Sequence, residues 1–141
     1  MNQRYRRRLS PHFMLYCFIR NGKAFDHKVE NMPDRNSFKA LENLCHTILE
    51  PLWQHFGPVV VARGFMSRQT AYFTNVDTMS DYCRGEGVDI VCGGRDRGHF
   101  MYQFIKKNLN FDELYMLPSD DNPEWLHVSY RSTGKNRKLA K

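Results

Sequence analysis

Apolar residues recur at intervals of three and four over one long stretch, residues 38–56. This spacing predicts an amphipathic helix of about five turns. Its apolar positions are Phe38, Leu41, Leu44, Cys45, Ile48, Leu49, Leu52, Trp53 and Phe56. Residues 33–37 offer several N-cap side chains. Pro51 is expected to bend the helix, and Gly57-Pro58 is expected to end it.

Shorter apolar runs predict strands at 59–62, 88–91, 111–117 and 125–131. A second helix is predicted at 98–108, where apolar residues lie on one face. Residues 67–87 lack a clear period and are expected to form an irregular, site-forming stretch. This order predicts the α+β class, with helices packed on a mainly antiparallel sheet.

Length and composition narrow the picture further. The 141 residues suit one domain. No apolar run is long enough to span a membrane, and no secretion signal is evident, so no membrane partner is expected. The four cysteines, Cys17, Cys45, Cys83 and Cys92, have no CxxC spacing and are expected to be reduced and packed.

The net charge of +6 is unevenly distributed. Residues 1–8 hold four arginines and residues 131–141 hold five basic residues, whereas 9–130 holds 12 basic and 15 acidic residues. The sequence therefore has a mildly acidic central part and two basic ends. We expect these ends to be either docking arms or solvated tails. The candidate docking residues are Arg4, Arg6, Arg7, Arg8, Lys135, Arg137 and Lys138.

Three side chains suggest hydrolytic chemistry. Asp89 interrupts the apolar run VDIV, so its carboxylate needs a partner or a metal. His127 faces away from the aliphatic side of the last strand, and Glu124 lies at that strand's entrance. Such residues can form a zinc hydrolase site. The alternatives are an Asp89 paired with an arginine or backbone amides, a half-buried His127 hydrogen-bonded to Asp89 or Tyr82, and a Glu124 that caps a turn.

Several segments carry a family resemblance through their order and spacing. They are LSPHF at 9–13, ILEPLWQHFGP at 48–58, GF at 64–65, RGEGVDI at 84–90, NLNFDEL at 108–114, PEWLHVSY at 123–130 and GKNR at 134–137. The chain resembles the D-alanyl-D-alanine carboxypeptidase-like zinc peptidases, in their small bacteriophage and bacterial branch. The resemblance implies a DD-peptidase/hedgehog-like domain over 9–137, with a basic arm at 1–8 and a basic tail at 138–141.

The resemblance also implies a metal site with two departures. The family motif Ser-x-His-x-x-Gly-x-x-x-Asp begins at Ser80, a substrate-binding position, and retains Gly85 and the metal ligand Asp89, but Tyr82 stands in the histidine's place. The later Glu-x-x-His corresponds to a Glu124 base and a His127 ligand. Met66 stands where the family has a substrate-binding arginine.

Other side chains are considered as replacements for the missing groups. Cys83 is a possible replacement ligand and His99 a more remote one. Arg63 or Arg68 is considered in place of the missing arginine.

These departures predict an inactive site. The first functional hypothesis is a bacteriophage virion component, structural or accessory, with no cofactor. Its partners would be other virion proteins and, through the basic ends, packaged DNA, and its location the virion or the host cytoplasm. The alternative is an active zinc-dependent peptidoglycan peptidase, either an endolysin or a virion-associated carboxypeptidase or endopeptidase. A third possibility is a peptidoglycan- or peptide-binding module that lacks the chemistry.

Overall fold

A computed structural model describes residues 3–141, with side chains from residue 5 onward. The helices are α1 (Tyr16–Ile19), α2 (Gly22–Asp26), α3 (Arg35–Leu44), α4 (Glu50–Phe56), α5 (Arg68–Thr74) and α6 (Arg95–Asn108). A π-helix (Cys45–Leu49) joins α3 to α4, and 3-10 helices span Gln3–Arg6 and Asp81–Arg84. The strands are β1 (Arg8–Ser10), β2 (Phe13–Met14), β3 (Val61–Arg63), β4 (Gly87–Val91), β5 (Glu113–Leu117), β6 (Trp125–Ser129) and β7 (Leu139–Ala140).

The main sheet has five strands in the order β3-β4-β6-β5-β7. All its pairs are antiparallel except β5 and β7, which are parallel. A two-stranded sheet of β1 and β2 stands apart from it. The predicted α+β class with a mainly antiparallel sheet is confirmed.

The long predicted helix supplies the main apolar layer. The Asp34 side chain accepts a hydrogen bond from the backbone N–H of Ser37 at 2.8 Å, which caps α3. Side chains from α3, the π-helix, α4, α6 and the inner face of the sheet form one buried cluster, with members that include Leu41, Leu44, Ile48, Leu52, Val88, Ile90, Met101, Leu126 and Val128. The alternate residues of β4 and β6 therefore face away from this core, and these include Asp89 and His127.

Pro51 has a different effect from a simple bend. Because proline lacks an N–H, it cannot make the normal helical bond. The chain before it widens into the π-helix Cys45–Leu49, and α4 then carries Pro51 in its first turn. Gly57, at φ +83°, ends α4 as the sequence predicts.

The first residue of α4, Glu50, presents a buried carboxylate to the LSPHF segment. The Glu50 carboxylate accepts hydrogen bonds from the Ser10 hydroxyl at 2.6 Å and the His12 backbone N–H at 2.8 Å. The His12 Nδ1 lies 2.7 Å from its other oxygen, and the His12 ring stacks on Trp53. Burial alone would raise the pKa of Glu50, but the bonds from His12 and Ser10 outweigh it and lower that pKa. Ser10 and His12 thus fix the LSPHF segment against the helix.

The structure corrects three boundaries. Residues 67–87 are not wholly irregular, because Ser67 caps α5 and the 3-10 helix Asp81–Arg84 follows. Residues 138–141 are not a separate tail, because β7 pairs with β5. The arm boundary at residue 9 falls inside β1. No helix within residues 3–141 combines the length and apolar character needed to cross a bilayer.

Candidate functional site

The pairing of β4 with β6 sets Asp89 directly opposite His127. Val88 and Ile90 face the core, so alternation sends the Asp89 side chain to the other face of the sheet. On the other side of β6, Tyr115 of β5 is paired in register with His127. Its ring stacks on the imidazole, with the ring centroids 4.7 Å apart. The imidazole is therefore enclosed, and only 1% of His127 is exposed.

Both ring nitrogens of His127 meet carboxylates. Nδ1 lies 2.7 Å from Asp89 Oδ1, and Nε2 lies 2.8 Å from Asp81 Oδ2. An imidazole that donates at both nitrogens carries two protons and a positive charge. Burial alone would lower the pKa of His127, but the hydrogen bonds to Asp81 and Asp89 raise it to about 9. His127 is therefore an imidazolium held between two carboxylates at neutral pH.

Tyr82 completes this arrangement. Its hydroxyl donates to Asp89 Oδ1 at 2.7 Å and lies 3.0 Å from His127 Nδ1. Burial, followed by the negative charge of Asp89, raises the pKa of the Tyr82 phenol well above its ordinary value. The phenol is therefore neutral and acts as a hydrogen-bond donor. We call Asp81, Tyr82, Asp89 and His127 the His127 cluster.

Two glycines of the RGEGVDI segment make this geometry possible. Gly85 ends the 3-10 helix in the left-handed region at φ +73°, and a Cβ there would overlap the Ser37 carbonyl oxygen. Gly87 begins β4, and a Cβ there would overlap the Asp81 carboxylate. The absence of a side chain at Gly87 lets the Asp81 carboxylate reach His127.

The cluster does not fit a zinc ion. Ligand atoms around tetrahedral zinc lie about 3.3 Å apart, because the bonds are about 2.0 Å long. The three converging atoms of Tyr82, Asp89 and His127 are instead 2.7–3.0 Å apart and joined by hydrogen bonds. The imidazolium offers no free lone pair, and the neutral phenol is a poor ligand. Within residues 5–141, no group of three or more His, Cys, Asp or Glu side chains is arranged to hold a metal.

Met66 adds a second departure from a peptidase site. It is fully buried and belongs to a small apolar cluster with Ala71 and Tyr82, flanked by Val76 and Cys83. Its backbone N–H donates to the Tyr82 carbonyl at 3.2 Å. A thioether supplies neither the charge nor the paired donors of an arginine.

The two arginines considered in place of the missing one have different surroundings. Arg63 lies over the Tyr82 ring, with its guanidinium carbon 5.8 Å from the ring centroid. Arg68 borders a different groove beside Cys83 and Arg84.

The remaining candidates lie outside the cluster. The Ser80 hydroxyl donates to Cys83 Sγ at 3.8 Å, and Cys83 Sγ in turn contacts the Asp77 carbonyl. Burial raises the pKa of the Cys83 thiol. His99 contacts the Asp120 carbonyl on α6's side of the molecule. None of these side chains contacts Asp89 or His127.

Glu124 is exposed at the entrance to β6. Its backbone N–H donates to the Leu117 carbonyl, and its own carbonyl accepts from the Cys92 N–H. Within the part of the chain that the structure describes, no contact joins its carboxylate to the His127 cluster.

The predicted docking residues differ in their surroundings. Arg137 forms an ion pair with Asp112 at 2.8 Å and is thereby held on the domain, whereas Lys135 and Lys138 are exposed. Arg6, Arg7 and Arg8 are exposed at the other end, where the Arg7 guanidinium lies over Phe38. The side chain of Arg4 lies outside the described residues.

Asp81 and Tyr115 are the members of the site that the sequence did not reveal. Strand alternation offered a signal for Tyr115, because Tyr115 and His127 share one face of neighbouring strands. Asp81 gave no such signal, because it approaches through a 3-10 turn whose geometry no periodicity encodes. A shallow cavity of about 300 Å³ adjoins the cluster, lined by Ala62, Arg63, Asp89, Leu117, Pro118 and Trp125.

Comparison of the sequence with protein-family models and with curated proteins finds no match.

Proposed function

We propose that the chain is a bacteriophage protein with a zinc D,D-peptidase-like fold whose site is inactive and which has been reused as a structural or accessory component of the virion. One observation carries the proposal. The Tyr82 hydroxyl donates to Asp89 at the position where the family resemblance calls for a histidine ligand. A hydrogen-bonded cluster thus takes the place of a metal centre.

The surroundings of the motif residues support the family part of the proposal. Residues that the resemblance groups together, Asp89 and His127, are paired across β4 and β6. Gly85 has a backbone conformation and a close contact that only glycine tolerates. Ser10 and His12 of LSPHF bind Glu50 of the ILEPLW segment. These four motifs therefore make specific packing contacts or hydrogen bonds in this fold.

The site's chemistry supports the inactive part. Hydrolysis of a peptide bond by zinc requires three ligands, an open position for water, and a base near that water. His127 is occupied at both nitrogens, Met66 offers no charge to an oxyanion, and the Glu124 carboxylate makes no contact with the cluster. Loss of one oxyanion donor alone typically lowers the rate about 10²–10³-fold.

The first experiment measures zinc and cleavage together. Three proteins are compared: the wild type, the double variant Tyr82→His/Met66→Arg and the single variant Tyr82→Phe. Each is dialysed against zinc, washed, and analysed for bound metal and for cleavage of muropeptides. We expect substoichiometric zinc and no cleavage for the wild type. Tyr82→Phe is the matched control, because it removes the hydroxyl without adding a ligand. Zinc uptake by the double variant alone would support descent from an enzyme.

One result contradicts the inactive reading. If the wild type binds one zinc per chain and cleaves muropeptides, and if Glu124→Ala abolishes that cleavage, the chain is an active peptidase. The virion role is tested separately by quantitative mass spectrometry of purified particles. We expect many copies in each particle, and absence from particles would end the structural proposal.

A further inference from the structure

The net charge of the chain resides in its first 28 residues. Residues 1–28 hold seven Lys or Arg and one Asp, whereas residues 29–141 hold fourteen basic and fourteen acidic residues. Three of the five cations of the basic C-terminal segment pair with nearby carboxylates, whereas Lys135 and Lys138 are exposed. Arg131 and Arg137 pair with Asp112, and Lys141 pairs with Glu113. The net positive charge of the sequence therefore lies in its N-terminal segment.

The cations described in this segment, from residue 5 onward, have no carboxylate within ion-pair distance. Among residues 5–141, no carboxylate lies within ion-pair distance of the six described cations, which are Arg6, Arg7, Arg8, Arg20, Lys23 and Lys28. Asp26 and Glu30 are the acidic residues within this part of the surface. Several neighbouring surface cations without a carboxylate partner favour the binding of a polyanion.

Exposed aromatic rings lie among these cations. Phe25 is 84% exposed and is the most exposed large apolar side chain described, while Tyr16 is 40% exposed. The Arg20 guanidinium lies over the Tyr16 ring, with its carbon 5.3 Å from the centroid. The Asn21 side chain caps α2 by accepting from the Lys23 and Ala24 N–H groups, which fixes the short helix that carries Lys23 and Phe25.

Two adjoining cavities join these side chains into one surface. One, of about 300 Å³, is lined by Tyr5, Tyr16 and Phe25. The other, of about 440 Å³, is lined by Lys23 and Arg63. Arg20 and Asn21 line both. An aromatic recess thus lies beside a cationic one. We call Tyr16, Arg20, Lys23 and Phe25 the α1–α2 face.

We propose that the α1–α2 face binds single-stranded nucleic acid, with bases stacked on Phe25 and Tyr16 and phosphates at Arg20 and Lys23. Exposed rings interleaved with cations are the features by which proteins hold single strands without reading their sequence. An acidic peptide would match the charge but would not need flat, exposed rings. The inference rests on the proposed role as a non-catalytic structural or accessory component of the virion and adds the class of partner to it.

The test is fluorescence anisotropy of a labelled oligothymidylate of about 15 nucleotides, a length that covers the usual single-strand site sizes. The oligonucleotide is titrated with the wild-type chain at several salt concentrations, the lowest about 50 mM. Phe25→Ala is expected to weaken binding at least about fivefold, since stacking on one ring contributes that much. Phe25→Leu keeps the apolar bulk without the ring and should weaken binding similarly.

Matched controls lie on α6. Phe100 is 65% exposed, so Phe100→Ala is a control for the loss of an exposed ring elsewhere on the surface. Lys106→Gln/Lys107→Gln removes as much charge as Arg20→Gln/Lys23→Gln. A plot of the logarithm of the binding constant against the logarithm of the salt concentration has a slope that grows by about 0.7 for each phosphate contact on a single strand. The Arg20→Gln/Lys23→Gln variant should therefore lower the magnitude of this slope by about 1.4. The α6 variants should change neither affinity nor slope.

Five outcomes would overturn the proposal. The first is the absence of binding at low salt. The second and third are equal weakening by the α6 charge variant and a Phe25→Ala variant that binds as tightly as Phe100→Ala. The fourth is displacement of the oligonucleotide by polyglutamate at equal charge concentration. The fourth outcome would identify an acidic protein partner instead. The fifth is equally tight binding of a duplex of the same length, which would show a charge-only contact and would also contradict stacking. None of these results changes the zinc and cleavage outcomes, so the two proposals fail separately.

Discussion

The Asp81 carboxylate occupies the space that a side chain at residue 87 would fill. A Cβ on Gly87 would overlap the carboxylate that binds His127 Nε2. The bare backbone of β4 therefore sets the position of one of the two anions around the imidazolium. The electrostatics of the cluster depends on a glycine that carries no charge.

Gly87→Ala should therefore displace Asp81 and leave one nitrogen of a buried imidazolium without its acceptor. An unpaired charged group costs about 1–3 kcal/mol or more, so the free energy of unfolding should fall by at least that amount. Urea denaturation measures it. Gly22→Ala is the control, because a Cβ at Gly22 meets no atom within 4 Å. Equal stability of the two variants would contradict this account of Asp81.

The His127 cluster predicts a pH dependence of stability in the alkaline direction. The pKa of His127 is about 9 in the folded chain and about 6.5 when unfolded. Its contribution is therefore complete below about pH 6.5 and is lost as the pH rises through about 9, a change of up to about 3 kcal/mol. Urea denaturation at pH 6 to 9.5 measures it. His127→Gln should flatten this limb, and an unchanged limb would contradict an imidazolium in the folded state.

Tyr82→Phe removes the donor to Asp89 and leaves the ring in place. A buried hydrogen bond to a charged acceptor contributes about 1.5–3 kcal/mol, so the variant should be less stable by about that amount. Tyr72→Phe, at a residue 71% exposed, should have little effect. Denaturation of both variants checks the difference. A Tyr82→Phe variant as stable as the wild type would show that the hydroxyl contributes nothing to the cluster.

Met66→Arg alone should strongly destabilise the fold. Met66 is fully buried in an apolar cluster, and an unpaired charge there would cost several kcal/mol. Met66→Leu conserves the volume approximately and should cost less than about 1.5 kcal/mol. The two melting temperatures, measured by circular dichroism, provide the test. Similar melting for both variants would mean that an arginine at this position reaches solvent.

Arg137→Gln should loosen the C-terminal strand. The hydrogen bond from Arg137 lowers the pKa of Asp112 to about 2, from about 3.8. That contribution is present above about pH 3.8 and is lost as the pH falls through about 2. Hydrogen exchange at the Leu139 and Lys141 amides, which bind the Asp112 and Leu114 carbonyls, should accelerate in the variant. Lys138→Gln, at an exposed residue, is the control, and equal exchange in both variants would contradict the role of the pair.

Periodicity predicted most of the framework but little of the site's detail. The spacing of apolar residues located the α3–α4 layer, and alternation in β6 predicted that His127 faces away from the aliphatic side. The alternative in which His127 binds Asp89 or Tyr82 agrees with the observed contacts, although His127 is almost fully buried rather than half-buried. These features were accessible because they depend on residues close in sequence or on a regular repeat.

What the sequence did not reveal depends on irregular backbone. Asp81 reaches His127 through a 3-10 turn and a glycine, and the π-helix before Pro51 follows from a missing N–H rather than from a pattern. The helices α1 and α2 have only 4 and 5 residues, so they carry almost no periodic signal, and α2 is stabilised by its Asn21 cap. The ion pair of Arg137 joins residues 25 apart, which no local rule predicts.

The contact between Met66 and Tyr82 makes substitutions at these two positions interdependent. Both side chains belong to one small buried cluster, so a change in the size or polarity of either alters the packing of the other. The change in the free energy of unfolding for Met66→Arg and Tyr82→His together is therefore expected to differ from the sum of the two single changes. The small cluster is in this sense a point of epistasis in the fold.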